Sequence, residues 1–135
     1  MTSPALRARY LADSVTTASP AQLLVMLYDR LVLDVVRAED ALRAGDRDAA
    51  AQQLMHAQDI VIELRTTLDT STWTGAAGLA QLYAFLLAEL ISANVQADAD
   101  KVAACRGLIE PLRDAWREAA QAAAATAQPV GTRAA

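Results

Sequence analysis

The chain of 135 residues is short of the side chains that carry catalysis, cross-linking and metal binding. It has one cysteine, Cys105, and one histidine, His56. A single thiol excludes a disulfide framework within the chain and a zinc knuckle, and no C-x-x-C-H is present for haem attachment. A single histidine falls short of a ferritin-like di-metal site, which takes a Glu-x-x-His pair from each of two helices. No Gly-rich phosphate loop or nucleophile elbow occurs. The expectation is therefore no enzyme, no metal and no cofactor. There is also no uninterrupted apolar run of about 18 residues; the longest candidate, Leu23–Val36, is broken by Asp29, Arg30 and Asp34, so no membrane span is expected. The start, MTSPALRARYLADS, lacks the apolar stretch of a signal peptide, which makes a reducing cytoplasm the expected location. Basic residues are eleven arginines and Lys101, scattered among acids in a chain of net charge −4. A nucleic-acid binder needs them clustered.

What the chain has is alanine and leucine, 32 and 18 residues, within a hydrophobic share of 54%. Both are strong helix formers, whereas β-branched runs, five glycines and four prolines are too few for a sandwich or barrel. The length suits one domain and the apolar share supports a packed core. The fold class expected is all-α, an antiparallel up-down four-helix bundle behind a short N-terminal leader. Residues 1–18 form the leader, 19–125 the bundle and 126–135 a disordered tail.

The helix signals are local. Ser19-Pro20 reads as an N-cap followed by proline at the first helical position. The first helix should run from Pro20 to about Ala44, with Gly45 as the residue that ends it. Asp46 caps a second helix ending near Leu68 or Asp69. Residues 70–78 are loop-like, a third helix covers about Ala76 to Ala97, and Asp98 caps a fourth, about Ala99 to Ala125. Leu24, Leu27, Leu31, Val35, Ala38 and Leu42 step by three or four and predict the core face of the first helix. Leu54, Ala57, Val61, Leu64 and Leu68 do the same for the second, Leu79, Leu82, Leu86 and Leu90 for the third, and Val102, Cys105, Ile109, Leu112, Trp116 and Ala119 for the fourth. Pro111, inside the fourth helix, predicts a kink, with Gly107 easing the crowding at its i−4 carbonyl.

Beyond these stripes lies apolar surface that a solvated bundle does not need. At 100° per residue, Val25, Met26, Val32, Leu33 and Val36 point away from the core direction of the first helix. Met55 and Ile62 widen the stripe of the second, and Leu87 and Ile91 that of the third. Two readings fit: a homodimer or wide packing face, or a groove for an apolar partner segment. His56 reads as a surface or boundary residue, Cys105 as a small buried hydrophobe, and Trp73 as a lid over one end of the bundle.

Several segments in order resemble the flagellin-specific export chaperone (FliS) family. Thr16-Thr17-Ala18-Ser19-Pro20 with Leu23-Leu24-Val25-Met26-Leu27-Tyr28-Asp29 is similar to its opening, T-A-S-P-x-x-L-x-x-M-L-Y-[DN]-G. Ala57-Gln58-Asp59-Ile60-Val61-Ile62-Glu63-Leu64, Leu82-Tyr83, Ala93-Asn94-Val95 and Leu112-Arg113-Asp114-Ala115-Trp116 match its later segments, so the likeness spans about residues 10–119. Arg30 stands where the pattern has glycine, and Ala88-Glu89 where a basic pair is common. The resemblance implies a cytoplasmic helical bundle that binds the disordered C-terminal region of flagellin, prevents early polymerisation and aids delivery to the flagellar type III export apparatus. An export-gate component or a co-chaperone is a further candidate partner. Nucleic acid and membrane insertion are not expected, and the chain should be a monomer or weak homodimer. Tyr10 and Val15 are the candidate gating leader. Val25, Val32, Val36, Ile62, Leu87 and Ile91 are the candidate flagellin groove. The alternative is a self-associating bundle or adaptor whose extra apolar stripe is a homodimer or other partner interface.

Overall fold

The computed structural model describes residues 4–6, 19–71 and 73–127, and among them every regular element is helical. Residues 4–6 are a helical piece. Four long helices follow: α1 (Pro20–Arg43), α2 (Arg47–Thr67), α3 (Ala76–Gln96) and α4 (Ala99–Ala127). The candidate gating residues Tyr10 and Val15 lie outside the described residues, as does the tail beyond 127.

The boundaries follow from capping chemistry. The Ser19 hydroxyl accepts from the Gln22 amide at 3.2 Å while the Gln22 side chain accepts from the Ser19 amide at 2.9 Å, a reciprocal capping box ahead of Pro20. α1 ends where Gly45 takes φ +78°, a left-handed conformation that costs glycine nothing. Asp46 then caps α2 by accepting from the Ala49 amide at 3.1 Å. α3 ends differently: Ala97, with φ 51° and ψ 47°, occupies the left-handed position usually given to glycine. Asp98 caps α4 by accepting from the Lys101 amide at 3.1 Å. α4 runs as one helix through Pro111 and reaches Ala127, two residues beyond the expected end.

α1 packs against both α2 and α4, α2 against α3, and α3 against α4. The interior holds Leu31 and Val35 of α1, Leu54, Val61 and Leu64 of α2, Leu86 and Leu90 of α3, and Val102 and Ile109 of α4, each at most 2% exposed. Within it the hydroxyls of Tyr28 and Tyr83 meet at 2.5 Å, which gives two buried phenols the polar partner that burial demands. Burial, the largest influence, pushes both phenols above their ordinary value. Cys105 is buried as expected, and burial pushes its thiol up to about 11.

Charged side chains on the rim pair the helices end to end. Glu39 accepts from Arg43 on one oxygen and from Arg106 on the other, at 3.1 and 3.0 Å, and Arg43 also reaches Asp100 at 3.3 Å. These contacts join the end of α1 to the start of α4. Arg117 to Asp29, at 2.6 Å, joins the opposite ends of the same two helices. Arg47 donates to the Val95 carbonyl at 2.7 Å, tying the start of α2 to the end of α3.

Two expectations need correction here. The longest apolar stretch is α3, not Leu23–Val36. With one charged residue, Glu89, among its 21, α3 is long and apolar enough to cross a membrane by length and composition. Gly78, Gln81, Ser92 and Asn94 interrupt its strict apolar run without making it strongly polar. In the fold it is a packed helix, with Leu79, Tyr83, Leu86, Leu90 and Ala93 buried. The second correction is Val32, which is 8% exposed and part of the core. A helix that packs on two neighbours needs a stripe wider than the single line of i, i+3 and i+4 positions, and Val32 fills the added width.

Candidate functional site

α1 carries its excess apolar residues into its first two turns. Pro20, Leu23, Leu24, Met26 and Leu27, together with Glu63 and Thr67 from the end of α2, line a groove of about 490 Å³. On the other side of α1, Gln22, Val25 and Met26 face Arg117, Ala120, Gln121 and Ala124 of α4 across a hollow of about 280 Å³. Met26, 40% exposed, forms the ridge between the two. A third hollow of about 300 Å³ lies between Trp73, Leu79 and the stretch of α4 from Leu112 to Ala119. Between them the three hollows draw on the starts of α1 and α3 and the later halves of α2 and α4.

The linings are almost wholly apolar. In the first groove the polar groups are Glu63 and Thr67, and the Thr67 hydroxyl donates to the Glu63 carbonyl at 3.0 Å. A catalytic site gathers convergent polar groups around a cavity; this one gathers leucine and methionine. No group of three or more His, Cys, Asp or Glu among the described residues is placed to hold a metal. What such a surface can do is take apolar side chains of another segment out of water, at roughly 25 cal/mol per Å² covered.

Trp73 closes one corner. Its ring stands edge-on to Trp116, with centroids 6.5 Å apart and planes at 86°. The same indole lies on Gly75, where an added Cβ would sit 2.0 Å from the ring. Glycine at 75 is therefore what lets Trp73 lie down over this end. Trp116, expected in the core, is half-buried and packs against the core from outside.

The sequence-derived groove residues separate into three groups. Val25 lines the hollow between α1 and α4. Ile62 and Ile91 are exposed at 47% and 45%, on α2 and α3. Val32 is in the core, and Val36 and Leu87 pack against it. Leu23, Leu24 and Leu27, which line the larger groove, escape the helical wheel because Leu24 and Leu27 also serve the core stripe and Leu23 precedes its first full turn. The signal that could have found them is the unbroken run Leu23 to Tyr28, which offers apolar groups to every side of a helix at once.

A second arrangement was not legible. Asp34 is fully buried in α1. Arg30 donates to one of its oxygens at 3.0 Å, and His56 of α2 meets the other. Arg30 and His56 are themselves half-exposed, so a buried carboxylate is satisfied by two side chains that reach in from the surface.

Comparison with known sequences adds independent information. The sequence model of the family described as "Flagellar protein FliS" matches residues 2–123. The chain is 31% identical over 112 residues to the flagellar secretion chaperone FliS of Bacillus subtilis, covering 83% of this chain and 84% of that one. To the protein of the same name from Salmonella typhimurium it is 32% identical over 108 residues, covering 78% and 80%. The Escherichia coli protein of that name is 29% identical over 108 residues, covering 78% and 79%.

Proposed function

We propose, from the premise that the chain belongs to the FliS family of flagellar secretion chaperones, that it binds the disordered C-terminal region of flagellin, keeps it from polymerising early and hands it to the flagellar type III export apparatus in the cytoplasm. The family is one of chaperones, not enzymes. The observation that carries the reading is the pair of apolar hollows on either side of Met26, exposed on the first turns of α1. An amphipathic client would cover them, and its own apolar positions would then be unavailable for assembly. Wrapping a disordered chain costs ordering entropy, and a large contact surface offsets it. We read the helices as an antiparallel up-down four-helix bundle, supported by the opposite-end ion pairs of α1 with α4. Tyr10 and Val15 are proposed as the gate over the client surface, in a leader of residues 1–18.

Calorimetry of the full chain against the C-terminal segment of its own organism's flagellin tests this. The expected result is a one-to-one complex with a large negative heat-capacity change. Leu23→Asp with Met26→Asp should weaken binding at least about tenfold and leave the helical circular dichroism unchanged, because both side chains are exposed. Absence of binding by the unaltered chain overturns the reading. A second reading rests on α3, whose outer face exposes Phe85, Ile91 and Val95 at 51%, 45% and 70%. Such a face suits a homodimer, and concentration-dependent mass by light scattering would reveal it.

A further inference from the structure

The groove between α1 and α2 has one charged residue in its lining, Glu63, and among the described residues that charge is unpaired. Glu63 stands at the α2 side of the groove, opposite Pro20, Leu23, Leu24 and Leu27. These four α1 residues fall at i, i+3, i+4 and i+7, so the apolar wall is about two helical turns long, roughly 10 Å. Among the described residues no ion pair or hydrogen bond engages the Glu63 carboxylate; only its backbone carbonyl is used, by Thr67. The contrast with the other hollow beside Met26 is direct. There the lining charge, Arg117, is already neutralised by Asp29 at 2.6 Å.

A carboxylate at the edge of an apolar groove does two things to an occupant. It repels an acidic group brought beside it as the groove is covered and water is excluded, and it rewards a basic one with a charge-assisted contact in a partly dried setting. We infer that Glu63 selects the client segment by charge: the segment seated between α1 and α2 carries a Lys or Arg next to its apolar residues, placed to meet the Glu63 carboxylate. The inference rests on the client-binding reading above and adds to it which groove holds the charged contact and what sign the client must present.

The test uses the full chain and the flagellin C-terminal segment. Glu63→Lys should weaken binding about tenfold at low salt, with the gap narrowing as salt is raised, and Glu63→Gln should fall between. Asp59→Lys makes the same change in net charge one helical turn earlier on α2, outside the groove, and should stay within about twofold of the unaltered chain. Each Lys and Arg of the segment is then replaced by Glu in turn. One replacement should weaken binding to the unaltered chain and restore it to the Glu63→Lys variant. If the segment binds but Glu63→Lys and Asp59→Lys behave alike, or no replacement restores binding, the charge selection is wrong and the client reading stands. If the unaltered chain does not bind the segment at all, the client reading fails and the inference falls with it.

Discussion

Asp34 is the residue whose environment departs furthest from its type. Each oxygen has one partner, and each partner is half in water. The two neighbours that satisfy it are therefore easy to remove and the carboxylate is not easy to leave alone. His56→Ala strands one buried oxygen and should cost about 1–3 kcal/mol in urea denaturation. Asp34→Leu removes the buried charge itself and should lie within about 1 kcal/mol of the unaltered chain, or above it. A larger loss for Asp34→Leu than for His56→Ala would mean the carboxylate holds α1 and α2 together and is not merely tolerated. Ala97 departs in the other direction, a side chain where none is wanted. Its left-handed backbone is unfavourable for alanine by about 1 kcal/mol, so Ala97→Gly should raise stability by up to about that amount, read from the same denaturation curves. Neither residue was legible beforehand. Burial of Asp34 depends on a partner 22 positions away, and the strain at Ala97 on a turn whose glycine the sequence does not supply.

The helices themselves were legible nearly to the residue, because their ends are written in local chemistry. Ser19-Pro20, Gly45-Asp46 and Asp98 each act within three positions of where they stand. The packing partners are less local, and one of them shows how they respond to acid. Glu39 joins α1 to the start of α4 through Arg43 and Arg106. Its partial burial pushes the carboxyl up, but the hydrogen bonds and charges of the two arginines together hold it below its ordinary 4.5. A carboxyl lowered on folding contributes stability that is complete above its unfolded value and is lost as pH falls through the folded one. Thermal stability should therefore hold near neutral pH and begin to fall below about pH 4.5. Glu39→Gln should be less stable at neutral pH, by no more than about 1 kcal/mol, and should show a shallower decline on the acid side.

That the chain packs as long helices followed from the sequence because each carries a regular apolar stripe; the location of the apolar grooves followed only in part. Wheel arithmetic treats a helix as having one inside direction, whereas α1 packs on two neighbours and has two. That difference turned Val32 inward and hid Leu23 and Leu24 as groove walls. The three hollows described lie at the starts of α1 and α3 and the later halves of α2 and α4, and both tryptophans of the chain border the third of them. Trp73 and Trp116 touch edge to face beside the third hollow, with one ring resting on Gly75. All of the chain's indole emission therefore originates at this one corner, and none comes from the opposite end where Glu39 and Arg106 meet. Light absorbed there reports whether the corner is wet or covered. The molecule thus comes with a dye already in place, and any partner that covers the third hollow can be followed by emission without labelling either molecule.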